Sequence, residues 1–367
     1  MSITEEMFSA CANWMEDWVT SYPPDQLVDR WDFEQWMESE MIEAIQLFID
    51  TAFQESLTKI DAIEVIRSLC WNYYQVRNTV ARSKIGVSLE SVARVQTLPQ
   101  TPQKTVEWMR ESIDLLTGHE FAEVVHGTEA ARRRVILKKC STTERSLDTQ
   151  ICFVTPLEGK LTPFQWGWRF EPVVRMIFEA SGAEGPIDDS LGRIRHPTLP
   201  RLAASPDGII TTGPKAGRLV EIKSPISRKL TKIIPPDYWC QMQLQAEVCD
   251  VEAVEYIEIR IGLGPPPTSY AYEYVGVVSV VGTDPTSYTY EYSPLLKSFE
   301  EYTPPKDAVE VCQWHIVDRY QETVLRNRIW WKEVGCPAYE AFWKDVEEER
   351  KKPVVPKAPV DVVFLED

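Results

Sequence analysis

From Asp32 onward, Phe33, Trp36, Met37, Met41, Ala44, Ile45, Phe48 and Ala52 recur every three or four positions, the spacing of one buried helix face. Asp32 fits as an N-cap after the loop marked by Pro23 and Pro24. Residues 1–68 are therefore read as a helical segment. IGVSLESVARV (residues 85–95) predicts a short helix with Ser88 near its start, and TQICFVTP (residues 149–156) predicts a strand. In LTPFQWGWRFEPVVRMIFEASG (residues 161–182), Val173, Ile177 and Ala180 mark a helix face and Gly182 its stop. Pro172 is read as a first-turn proline, which puts Glu171 at that helix's start, where it would compensate the dipole. PPDYWCQMQLQAEVC (residues 235–249) predicts a helix with Tyr238, Gln241 and Gln245 on one face and Gln243 displaced from it. Residues 251–261, 270–282 and 286–293 alternate like antiparallel strands, separated by GLGPPP and GTDP turns. Residues 308–350, with Trp314, Trp330, Trp331 and Trp343, are expected to return to helix, before a disordered Pro-rich tail.

The chain is organised around LAASPDGIITTGPKAGRLVEIKSP, residues 202–225. It reads as two apolar strands joined by a polar, glycine-rich turn, with Asp207 closing the first strand. Strand side chains alternate, so Glu221 and Lys223 share one face and Ile222 points into the core. If the strands pair, an Asp, a Glu and a Lys gather on one surface. Two carboxylates can hold a hard divalent cation, and a neighbouring ammonium can orient water or stabilise charge on a phosphate. Glu-x-Lys also occurs at Glu158–Lys160 and Glu349–Lys351, so the triplet alone carries little weight. Only the middle copy has strand-like neighbours and an upstream Asp.

Composition narrows the field. The 367-residue chain is 44% hydrophobic and 11% aromatic, enough for a large core. No apolar run reaches the length of a membrane helix and no leader-like stretch opens the chain, so an intracellular, non-membrane protein is expected, in host cytoplasm or at a viral replication site. The eight cysteines form no CxxC and no zinc-finger spacing with histidine, and are expected to be reduced core thiols. A net charge of −17 excludes a general nucleic-acid coat protein, though not an enzyme with a local basic groove. Arg132, Arg133, Arg134, Lys138 and Lys139 place five cations in eight residues. They are either a solvated face or a phosphate-contacting patch.

The order WGWRFEPVVRMIFEASG, HPTLPRLAASPDGI, VEIKSP, PPDYWCQMQLQAEV resembles the lambda-exonuclease-like branch of the PD-(D/E)xK nucleases, also described as YqaJ-like viral recombinases or alkaline exonucleases. The resemblance covers residues 163–250. It implies an α/β (α+β) core, a central mixed sheet flanked by helices, with helical additions at both ends. The expected division is residues 1–68 helical, 69–300 nuclease, 301–350 C-terminal helices and 351–367 tail.

Carried over residue by residue, the resemblance makes Glu171, Asp207, Glu221, Lys223 and Gln241 the catalytic group. Asp207, Glu221 and the Ile222 backbone carbonyl would bind Mg²⁺, with Mn²⁺ as a substitute and Glu171 as a further ligand. Tyr238 is Gln241's partner in its motif, Ser205 would contact DNA phosphate, and Arg82 with Ser88 would grip a terminal 5′-phosphate. Arg133 and Arg134 are the rival source of backbone contact. The implied activity is metal-dependent 5′→3′ exonuclease action on linear double-stranded DNA ends, in viral or phage recombination and repair. A homo-oligomer, trimeric as in the family, and a single-strand annealing protein are the implied partners. A structure-specific endonuclease, a non-catalytic DNA-binding module and an acidic scaffold protein are the alternatives left open.

Overall fold

IGVSLESVARV folds as its pattern suggests. Helix α1 (Leu89–Thr97) starts after Ser88, whose hydroxyl accepts from the Ser91 N–H at 3.2 Å, satisfying one orphan donor of the first turn. This computed structural model describes residues 85–140, 161–267, 273–284 and 287–352, with Ser9 and Asn13. The 1–68 segment, Arg82, the 149–156 strand and the tail beyond residue 352 lie outside the described residues.

Strand β1 (Gln100–Thr101) and helices α2 (Val106–Glu111), α3 (Gly118–His126) and α4 (Glu129–Cys140) follow. Helix α5 (Pro163–Ala180) opens on a capping box in which Thr162 and Gln165 bond each other's backbone N–H groups. Glu171 is therefore in mid-helix, not in the first turn, and the dipole role expected for it does not hold. Pro172 lies inside the helix, where it cannot donate to the carbonyl four residues back.

The strands come next: β2 (Ile187–Asp188), β3 (Arg193–Arg195), β4 (Ala203–Ala204), β5 (Gly208–Ile210) and β6 (Leu219–Lys223). Helix α6 (Pro236–Cys249) then crosses to β7 (Ala253–Leu263), followed by β8 (Val275–Val281), β9 (Thr289–Tyr292) and β10 (Ala308–Leu325). A short turn, Arg328–Trp330, and a π-helical stretch, Trp331–Gly335, lead into α7 (Cys336–Arg350).

The main sheet runs β2-β5-β6-β7-β10-β8-β9, with β1-β3-β4 as a second, small sheet. Among the described strands of the main sheet only β6 and β7 pair in parallel, as a crossover through a helix requires. The mixed α/β fold expected from the sequence is the one observed.

Residues 308–325 correct the reading of this region as helix: β10 is the longest strand described and lies between β7 and β8. Its alternation is disguised. Val309 and Val311 face out, while Glu310 bonds the fully buried Arg169 at 2.6 Å.

The sheet is covered on both faces. On one, Leu219, Val254 and Tyr256 pack with α3, α6 and the Trp330–Trp331 pair. On the other, Val220, Ile222, Ile257 and Ile259 meet Phe170, Val173, Val174 and Ile177 of α5. Each such aliphatic or aromatic side chain contributes about 1.5–3 kcal/mol by burial. The C-terminal end of β6 is thus fixed between α5 and α6.

Candidate active site

The site forms at that end. Asp207 does not close a strand; it sits between β4, in the small sheet, and β5, in the main one. Its N–H donates to the Val220 carbonyl at 3.1 Å, and its Oδ2 accepts from the Ile222 N–H at 2.7 Å. Asp207 is therefore tied to β6 twice. Within a strand the N–H and C=O of one residue point to the same side, so the Ile222 carbonyl lies on the Asp207 side as well. Gly208 permits this fit: a Cβ there would stand 2.4 Å from Ile187 Cγ2 and 2.9 Å from the Asp188 carbonyl oxygen.

Glu221 and Lys223 share the α6 face, as alternation requires. Glu221 is 1% exposed. It accepts from Gln241 Nε2 at 2.8 Å, from Gln245 Nε2 at 2.6 Å and from the Lys223 ammonium. Gln241 Oε1 in turn lies 3.5 Å from Lys223 Nζ. The Lys223 ammonium also sits 4.6 Å from the centre of the Tyr238 ring, a cation–π contact. The helical face of Tyr238, Gln241 and Gln245 thus meets the two charged residues of β6. Gln243, displaced from that face, instead bonds the Leu325 carbonyl and the Asn327 N–H. Gln245 is the site residue to which the sequence reading gave no role, although its spacing from Gln241 marked it.

Glu171 approaches from α5, on the opposite face of the sheet, and pairs with Lys104 at 3.6 Å. Burial, then the charges of Glu221 and Glu171, push the Asp207 carboxyl well above the ordinary range. Burial also raises Glu171, opposed by Lys104 and reinforced by Glu221. For Lys223 burial disfavours the charge, but Glu221 and Asp207 outweigh it and hold the ammonium above the usual lysine range. The arrangement is three carboxylates that act on one another through their charges, with a lysine whose charged form Glu221 and Asp207 favour.

That donor set suits a hard divalent cation. It is all oxygen, and a cation would relieve the mutual repulsion that raises Asp207 and Glu171. Among the described residues no three His, Cys, Asp or Glu side chains form a cage by themselves. The ligands available here are Asp207, Glu221 and the Ile222 carbonyl, with Glu171 beside them.

Residues 107–252, which span this site, match the YqaJ-like viral recombinase domain. An uncharacterised protein of Acanthamoeba polyphaga mimivirus is 28% identical to the chain over 183 residues, covering 46% of this chain and 31% of that protein. The match thus spans about a third of the relative's length. Among solved structures, an alkaline exonuclease from Laribacter hongkongensis is similar at 17% identity and a TM-score of 0.41, over 67% of this chain and 94% of that one. Its complex with dAMP gives 18% and 0.40 over the same shares.

Ser205, two residues before Asp207, accepts from Trp108 Nε1 at 3.1 Å, so it lies at the rim of the YqaJ-like site. Ser88 does not. Its N–H bonds the Ala216 carbonyl at 2.9 Å, and it packs on Gly217 in the turn joining β5 to β6. Gly217 is four residues before Glu221, roughly 13 Å at the rise of a strand. The Ser88 hydroxyl is also occupied in capping α1 and donates to Ser91 Oγ.

The basic run lies on α4, and each of its five cations meets a carboxylate. Arg132 pairs with Asp345, Arg133 with Glu349 through both nitrogens, Arg134 with Glu123, and Lys138 and Lys139 with Glu120. Lys139 is fully buried and also donates to the carbonyls of Ser112 and Leu115. Arg132 and Arg133 fasten α4 to α7, so for these residues the helix-face reading describes the structure.

The described cysteines Cys140, Cys240, Cys249, Cys312 and Cys336 are free thiols. No helix among the described residues is long and apolar enough to cross a membrane.

Proposed function

We propose that the YqaJ-like domain is a metal-dependent DNA exonuclease acting on the ends of linear duplexes, in the 5′→3′ direction. The reading rests chiefly on one observation: Asp207 bonds the Ile222 N–H on one edge of β6, Glu221 bonds the Lys223 ammonium and Gln241 on its face, and the charges of Glu221 and Glu171 act on Asp207. Asp207, Glu221 and the Ile222 carbonyl would hold Mg²⁺, or Mn²⁺ in its place. When bound, such a cation supplies Lewis-acid polarisation of the phosphate and an activated water.

The protein's own residues do the rest. Gln241 and Gln245 each anchor one oxygen of Glu221, which fixes the carboxylate's orientation. Glu221 and Asp207 favour the charged form of Lys223, which suits it to act as a donor: it orients the attacking water or the phosphoryl oxygen and stabilises developing negative charge. Without a cation the crowded carboxylates repel DNA, so productive binding should depend on the metal. A role in recombination or repair of viral DNA is consistent with the domain's family and its mimivirus relative.

The test is digestion of linear duplex DNA labelled at either the 5′ or the 3′ end, alongside a covalently closed circle. Progressive loss from 5′ ends, with the circle intact, is expected. Cleavage of the circle would make the enzyme an endonuclease, and loss from 3′ ends would reverse the polarity.

A further inference from the structure

The segment before α2 carries a feature that the proposed catalytic group leaves unused. Lys104 has a left-handed backbone, φ 59°, which side chains other than glycine avoid. Such a conformation persists only where its surroundings over-determine it, and here they do. Gln103 Nε2 donates to the carbonyls of both Leu191 and Pro206, each at 2.9 Å. Thr105 caps α2 through the Trp108 N–H and donates to the Pro102 carbonyl. Trp108 reaches Ser205. Lys104 is thus flanked by bonds to Ser205 and Pro206, the two residues that lead into Asp207.

The side chain so placed is 37% exposed, and its ammonium stands 3.6 Å from Glu171 Oε2, an ion pair just beyond hydrogen-bond distance. Lys223, by contrast, is engaged with Glu221, Gln241 and Tyr238. A loose, part-exposed ion pair is readily exchanged. Its cation lies on the rim of a site whose three carboxylates would otherwise repel a polyanion.

We propose that Lys104 is a DNA-phosphate-binding residue of this site, held by its strained loop so that it exchanges Glu171 for a backbone phosphate when the duplex docks. The assignment rests on the nuclease reading and adds a second cation to it. On docking, Glu171 is freed to face the metal position and Lys104 neutralises one phosphate charge.

Neutralising one phosphate releases about 0.9 of a counterion from B-form DNA. The probe is a fluorescently labelled linear duplex whose binding is followed by anisotropy in Ca²⁺ from 50 to 200 mM salt, a range of about fourfold that resolves this slope. Lys104→Gly is the informative variant, because glycine adopts the same φ without strain and so preserves the loop. Its slope of log affinity against log salt should be shallower than wild type by about 0.9, with an unchanged or higher melting temperature. Lys104→Arg should restore the wild-type slope. An unchanged slope in Lys104→Gly, with wild type binding normally, overturns this assignment alone. Failure of wild type to bind duplex overturns the nuclease reading and this assignment with it.

Discussion

Gln245→Met separates positioning from stability at the YqaJ-like site. Gln245 is 1% exposed; its Nε2 donates to Glu221 Oε2 at 2.6 Å, while its buried Oε1 has no hydrogen-bond partner among the described residues. Methionine has nearly the same length and volume, so the substitution leaves little cavity. Two terms then oppose. Loss of a hydrogen bond to an ionised group costs about 1.5–3 kcal/mol, and removal of an unpaired buried oxygen returns about 1–3 kcal/mol. Net stability should therefore stay within about 2 kcal/mol of wild type. Function has no such compensation, since Glu221 loses the donor that fixes one of its two oxygens. Loss of a residue that orients a metal ligand lowers metal affinity or activity by about 10–100-fold, or about 1.4–2.7 kcal/mol. Urea unfolding in EDTA measures the first quantity, and the Mg²⁺ dependence of initial rates on linear duplex measures the second. A stability loss above about 3 kcal/mol, or an unchanged Mg²⁺ requirement, would refute this division of roles.

Three further outcomes are expected. Asp207→Asn keeps an acceptor for the Ile222 N–H and should cost at least ~10²-fold in hydrolysis. Because the folded state raises the Asp207 pKa above its unfolded value of about 3.9, the folded protein binds more protons between the two values. That part of stability is therefore lost as pH rises from about 4. Metal-free Asp207→Asn should lack this decline and be the more stable protein at neutral pH, as denaturation across pH would show; a wild type more stable than the variant at pH 7 contradicts the crowding. Lys223→Ala should retain or slightly improve Mg²⁺ binding by calorimetry while losing most turnover; collapsed affinity with normal turnover at saturating metal would make Lys223 structural. Arg133→Ala with Arg134→Ala should leave the salt dependence of duplex binding unchanged, because these side chains are held in full contact with Glu349 and Glu123, at 2.5 and 2.7 Å, where Lys104 stands 3.6 Å from Glu171; a flattened dependence would return the α4 cluster to the DNA interface.

The β5–β6 hairpin was legible in the sequence because its information is local. Alternation across Leu219–Lys223 separates Ile222 from Glu221 and Lys223, and helical spacing across Tyr238–Gln245 puts both glutamines on the face that meets them. What was misread depended on distant partners. Residues 308–325 hide a period of two, because an inward Glu310 is tolerated only where Arg169 receives it, and tryptophans at positions 314, 330 and 331 suit either element. Pro172 suggested a helix start, although the Thr162-Pro163-Phe164-Gln165 capping signal stood a full two turns earlier. The α4 cations carry no mark of their carboxylate partners, two of which, Asp345 and Glu349, come from α7, about two hundred residues later. Lys104 gives no signal at all: its role follows from a backbone angle and from bonds to Leu191 and Pro206.

The most direct test of the site is release of nucleotide from end-labelled linear duplex by wild type and Asp207→Asn side by side, in Mg²⁺, Ca²⁺ and EDTA. Degradation by wild type in Mg²⁺ alone, and none by Asp207→Asn in any of the three, is the expected result. Degradation in EDTA, or by Asp207→Asn at near the wild-type rate, would contradict the assignment of Asp207, Glu221 and Ile222 to a catalytic cation.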